Sequence, residues 1–143
     1  MTTTIYSATS TAWGGREGRV ASSDNRVDLE LSIPKGLGGD DGPGTNPEQL
    51  FATGYAACFH SALKAVARGR KVDVGGSAVS VTVALVRDSD TESLDLATRI
   101  EAQIPDVARD TAQELLDAAH ALCPYSRATR GNIAAEVVLV DND

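Results

Sequence analysis

Residues 46–69 read NPEQLFATGYAACFHSALKAVARG, and this stretch decides the fold. Asn46 can cap a helix, Pro47 suits the first turn, and Gln49 is placed to reach back to the cap. The spacing predicts one helix running to about Arg68 and ending near Gly69. Leu50, Phe51, Tyr55, Cys58, Phe59, Leu63 and Val66, with the alanines between them, leave it apolar or small on nearly every face. Such a helix is expected to be surrounded by protein, and its small residues would let another helix approach closely. His60 and Lys64 interrupt the run from Leu50 to Ala67, and Glu48 and Arg68 flank it. It therefore reads as a buried helix rather than a membrane span.

On the N-terminal side, Thr3 to Trp13 is rich in Thr, Tyr and Ile and stops at Gly14-Gly15, the pattern of a strand. Arg19 to Ser22 and Val27 to Ile33 flank Ser23-Asp24-Asn25, a hairpin turn signal. Apolar and acidic residues alternate through Val27-Asp28-Leu29-Glu30-Leu31, as in a half-buried strand. Pro34 to Thr45 holds five glycines and two prolines and is expected to be a loop. On the C-terminal side, Ser77 to Arg87 alternates through Val79, Val81, Val83 and Leu85. Leu94 to Ile104 follows it around Asp88-Ser89-Asp90, so the two are expected to form a hairpin. Pro105-Asp106 is expected to open a second helix through Leu115, Leu116, Ala119 and Leu122, which Pro124 stops, leaving Cys123 at its end. Asn132 to Val140 is the last expected strand. This uneven grouping of strands and helices favours α+β over a wound parallel sheet.

The chain has 143 residues, enough for a single domain spanning 1–143. Apolar residues make up 42% and aromatics only 4%, so the chain is globular with a core of Ala, Val, Leu and Ile. A net charge of −7 argues against nucleic acid and against anionic membranes as partners. The N-terminus has no basic region followed by an apolar stretch, so no secretory signal is read and a cytoplasmic location is expected. Two cysteines in such a compartment do not suggest a structural staple.

They could instead be inert core thiols, metal ligands or redox groups. Core filler is the common role of a free cysteine. Metal is disfavoured: Cys58 and His60 lie about 200° apart around a helix, and His120 with Cys123 supplies only two ligands. Both histidines are expected at the surface or its boundary. Peroxide chemistry needs a thiolate, a cation to hold it ionised and a second thiol to trap the sulfenic acid. Arginine is the natural cation because it stays charged when partly buried, and a carboxylate could orient it.

Three segments carry a resemblance. Asn46 to Phe59 (NPEQLFATGYAACF), Cys123 to Ile133 (CPYSRATRGNI) and Gly14 to Arg19 (GGREGR), the last followed by Ser22-Ser23-Asp24, resemble in order the organic hydroperoxide resistance branch of the OsmC family. The resemblance implies an OsmC-like α+β fold in which antiparallel sheets enclose long central helices of an intertwined homodimer. It implies a cysteine-based peroxidase that reduces alkyl and fatty-acid hydroperoxides. Cys58 would be the peroxidatic thiol and Cys123 the resolving thiol. Arg19 would hold the Cys58 thiolate, and Glu48 would orient Arg19. No bound cofactor or metal is implied; dihydrolipoamide or a lipoylated protein would be the external reductant. Phe51, Tyr55, Phe59 and Tyr125 are candidates for apolar substrate walls, each equally suited to the core. Arg127 departs from the small polar residue common in the family. Glu48 lies ten residues before Cys58, about 15 Å along a helix. A partner's antiparallel helix could close that gap, so an active site shared between subunits is expected. The rivals are a general OsmC protein of broader substrate range and a binding module with idle thiols.

Overall fold

The computed structural model describes residues 1–141. It divides into two compact units, Met1–Leu50 and Phe51–Asp143. The first holds a three-stranded antiparallel sheet of β1 (Ser10–Trp13), β2 (Arg19–Ser22) and β3 (Asp28–Glu30). The first strand is shorter than its composition predicts, because a ladder extends only as far as its partner and β2 has four residues. The third strand is trimmed for the same reason, with Leu31 making an isolated bridge to Thr45 instead. The glycine-rich segment is irregular apart from one 3-10 turn, Lys35–Leu37. Only Ala21 and Leu31 are buried apolar residues in this unit, whereas Ile5, Tyr6, Trp13, Val27 and Leu29 are exposed.

Helix α1 (Pro47–Gly69) begins in the first unit and forms the backbone of the second. Its start follows the sequence: the Gln49 N–H donates to Asn46 Oδ1 at 2.8 Å. The Gln49 side chain accepts from the Thr45 hydroxyl rather than returning to the cap. Tyr55, Phe59, Ala62, Leu63 and Ala67 line one buried face at helical spacing. The opposite face differs from expectation. Thr53, Ala57, Ser61 and Ala65, each four residues apart, are exposed.

The second unit continues with β4 (Ala78–Arg87) and β5 (Leu94–Gln103), an antiparallel hairpin ten residues long on each side. Helix α2 (Arg109–Leu122) starts later than predicted, because Asp106 takes a left-handed conformation with φ 63° and turns the chain first. Pro124 does end α2, but it also opens a short helix, α3 (Pro124–Thr129), where a residue lacking an N–H is tolerated. Strand β6 (Ala134–Leu139) pairs with β5 in parallel, so the sheet β4-β5-β6 is mixed where an antiparallel one was expected. The intervening helical segment carries the chain back to the starting end of the sheet, which a tight hairpin cannot do.

The core of this unit is one cluster. Tyr55, Phe59 and Leu63 of α1 meet Ile100, Ala102 and Ile104 from β5 and its end, together with Leu115, Leu116, Ala119 and Cys123. Among the described residues no helix is long and apolar enough to cross a membrane.

Candidate active site

Cys58 and Cys123 reach each other from separate elements. Cys58 sits half-buried on α1, one turn after Tyr55. Cys123 is fully buried at the corner where α2 ends and α3 begins. The Cys123 backbone is extended, with φ −60° and ψ 123°, as a residue before proline prefers. That extension breaks the helical path and turns the side chain inward. The two sulfurs stand 3.8 Å apart, with the Cys123 thiol placed to donate to Cys58 Sγ, and both cysteines are free. A disulfide requires a separation of about 2.0 Å, so a small closing movement suffices.

Burial pushes the Cys58 thiol above its ordinary range. The Tyr125 backbone N–H opposes this, and Cys123 alongside adds to the rise. Both burial and the neighbouring sulfur thus disfavour the charged form of Cys58.

The first unit holds two candidate arginines, and they are differently occupied. Gly14 and Gly15 both have positive φ, and Gly18 packs its bare Cα against the Trp13 carbonyl, where a Cβ would lie 1.6 Å from the oxygen. These glycines fold Gly15–Glu17 into a 3-10 turn and lift Arg16 out of the sheet. Its guanidinium grips Glu48 through two parallel hydrogen bonds, Nη1 to Oε2 at 2.9 Å and Nη2 to Oε1 at 2.7 Å. This fork-on-fork geometry fixes direction as well as charge. The bond from Arg16 holds the Glu48 carboxyl below the usual carboxylate range, against the opposing effect of burial.

Arg19 does not meet Glu48, contrary to the sequence expectation. It lies on β2, where Nε donates to Asp28 Oδ1 at 2.7 Å and the guanidinium covers the Trp13 ring at 5.4 Å. The cause is position: Arg19 is a strand residue whose side chain meets the neighbouring strand β3, while Arg16 is presented by a turn. Arg16 is thus the arginine paired with Glu48, a pairing the sequence reading did not anticipate. Its signal was the glycine pair immediately before it.

The aromatic candidates divide into two kinds. Tyr55 and Phe59 are fully buried, whereas Phe51 is half-buried and Tyr125 exposed. Phe51, Tyr55 and Tyr125 form a triangle with ring centroids 5.6–6.1 Å apart in tilted or edge-on contacts. Tyr125 seats its hydroxyl over Gly54, where an added Cβ would come within 2.8 Å of it. Phe59 faces the His120 ring instead. Arg127 is exposed. His60 is half-buried against the Ser77 hydroxyl and His120 against Ser126, both at the boundary as expected. Among the described residues no group of three or more His, Cys, Asp or Glu is arranged to hold a metal ion.

Comparison with known proteins identifies the family. The OsmC-like protein family model matches residues 38–138. The organic hydroperoxide resistance protein of Xanthomonas axonopodis pv. citri is 46% identical, with 94% of each chain covered. The crystal structure of the organic hydroperoxide resistance protein OhrB of Bacillus subtilis superposes with a TM-score of 0.87 at 39% identity, covering 96% of this chain and 100% of that one. An organic hydroperoxide resistance protein from Elizabethkingia anophelis, with crystallant-derived thiocyanate bound, gives 0.92 at 40% identity over 99% and 100% of the two chains. The chain belongs to the OsmC-like family and, within it, to the organic hydroperoxide resistance proteins.

Proposed function

We propose that this protein is a cytoplasmic thiol peroxidase that reduces alkyl and fatty-acid hydroperoxides through Cys58 and Cys123. The observation that carries the reading is the pair of free sulfurs 3.8 Å apart in a chain whose relatives are named for organic hydroperoxide resistance. The Cys58 thiolate attacks the distal peroxide oxygen. The O–O bond breaks, the alkoxide leaves and takes up a proton, and Cys58 becomes a sulfenic acid. The Cys123 sulfur then attacks Cys58 Sγ. The S–O bond breaks, water leaves carrying the thiol proton, and a Cys58–Cys123 disulfide remains. A dihydrolipoyl dithiol, free or on a lipoylated protein, reduces that disulfide through a mixed disulfide and leaves as the cyclic lipoyl form.

Arg16, oriented by Glu48, takes the role of the thiolate's cation, in place of Arg19. A homodimer explains how it arrives. The exposed stripe Thr53, Ala57, Ser61, Ala65 is narrow enough for close approach of a second α1. The midpoint between residues 48 and 58 is Thr53, on that stripe. An antiparallel pair of helices centred there sets Glu48 of one subunit opposite Cys58 of the other, carrying the partner's guanidinium with it. The exposed apolar residues of the first unit, among them Ile5 at 96% exposure, fit burial in the same assembly. Phe51 and Tyr125 are the apolar walls that favour an organic peroxide.

Titrating free thiols before and after one equivalent of an alkyl hydroperoxide tests the reading. Loss of two thiols per chain is expected; no loss would leave a binding module with idle cysteines. Cys123→Ser is expected to keep the first peroxide reduction at close to the parent rate and then accumulate two or three added oxygens on Cys58, visible by intact mass. An equally clean disulfide-type recovery in that variant would remove Cys123 from the resolving role.

A further inference from the structure

His120 is the one histidine of α2, three residues before Cys123, and nothing in the peroxide cycle uses it. Its Nδ1 lies 2.9 Å from Ser126 Oγ, and Ser126 Oγ lies 2.7 Å from the Tyr55 hydroxyl. Ser126 and Tyr55 are both fully buried, so the three groups join α2, α3 and α1 in one polar chain inside an apolar core. The chain is complete when the Tyr55 hydroxyl donates to Ser126 Oγ and the Ser126 hydroxyl donates to His120 Nδ1; run the other way, the Tyr55 proton finds no acceptor within it. No buried side-chain polar atom among the described residues lacks a partner. The His120 backbone is held as well: the Arg130 guanidinium, just past α3, donates to its carbonyl at 2.7 Å. His120 therefore ties α3 to α2 at Ser126 and at Arg130 just past its end, and Cys123 is the corner between those helices.

We propose that His120 is a positioning residue for disulfide formation, its ring fixing the α2–α3 corner through Ser126 so that Cys123 Sγ lies against Cys58 Sγ. The ring is not the proton carrier for the step, because the nitrogen turned inward is already engaged by Ser126. Burial and the charge of Arg130 hold the imidazole below its ordinary range, opposed by Asp117, so the link persists with a neutral ring at neutral pH. The geometry matters because covalent steps between held groups respond steeply to displacement. A misplacement of about 1 Å can cost on the order of 10²-fold in rate.

The proposal rests on the peroxidase reading, and the experiment separates the two. His120→Leu keeps the size of the ring but removes the nitrogen. With an alkyl hydroperoxide, this variant is expected to consume the first equivalent at the parent rate. It should then close the disulfide about tenfold more slowly and divert a larger fraction of Cys58 to over-oxidised forms. His120→Asn, which restores a polar atom at the Nδ1 position, is expected to recover the parent partition. A second arm uses diamide, which accepts the two electrons and two protons of the dithiol without any peroxide. Disulfide closure by diamide should slow in His120→Leu and in Ser126→Ala, and recover in His120→Asn. Parent-rate closure in both the Leu and Ala variants, or an Asn variant no faster than Leu, overturns the role of His120. Failure of the peroxidase reading shows differently, as a parent protein that closes its disulfide with diamide but consumes no alkyl hydroperoxide. Should His120→Leu fail to fold, Ser126→Ala reads the same link.

Discussion

Cys58→Ser is expected to abolish turnover of alkyl hydroperoxides, lowering the rate by at least about 10³-fold. The hydroxyl that replaces the thiol stays protonated at neutral pH and is a poor nucleophile towards oxygen. Nothing nearby can substitute. Cys123 is fully buried at the α2–α3 corner, so a peroxide meets Cys58 first. The variant should fold, because Cys58 is half-buried at the edge of the core and serine is slightly smaller. Its unfolding midpoint and its peroxide consumption, followed by loss of hydroperoxide with dihydrolipoamide as reductant, should therefore part company. Retained consumption in a folded Cys58→Ser protein would take Cys58 out of the chemistry.

Much of this arrangement was legible in the sequence, and the misses have physical causes. Helix α1 was readable because its cap, its first-turn proline and its apolar run act locally, within a few residues. The hairpin β4–β5 was readable because ten-residue alternation has a single compact solution. The length of β1 was not, since it depends on how far a partner strand reaches. Nor was the direction of β6, because a period-two pattern is the same in a parallel or antiparallel ladder. Pro124 carries two messages, ending one helix and beginning another, and only the second places Cys123 at an inward corner. The sulfur pair was anticipated from a resemblance rather than from spacing, and the structure supplies the proximity.

The partner of Glu48 was the instructive miss. Arg16 and Arg19 are three residues apart around Gly18, both basic, and Glu48 is 32 residues beyond the first of them. Residue type cannot decide between them; the backbone does. Gly14 and Gly15 adopt conformations that most residues avoid, and the turn they make presents Arg16. Arg19 begins a strand and is occupied by its neighbour Asp28.

That difference gives the second large effect. Arg16→Ala is expected to slow peroxide reduction about 10²-fold, the usual consequence of deleting a prepositioned charged donor. Burial already pushes the Cys58 thiol up, so loss of the cation should move the midpoint of its alkylation to higher pH and slow alkylation at neutral pH. Arg19→Ala should change neither quantity, since its partner Asp28 and its contact with Trp13 are exposed. Glu48 adds a check on the acid side. Its carboxyl is held below the ordinary range by Arg16. The ion pair is therefore fully present above the ordinary carboxylate range and is lost only as pH falls through the lowered value. Titration of Glu48 consequently contributes nothing to the alkylation profile near neutrality, and any midpoint there belongs to the thiol. An Arg16→Ala protein with the parent's rate and midpoint, or an Arg19→Ala protein that loses both, would return the cation's role to the strand.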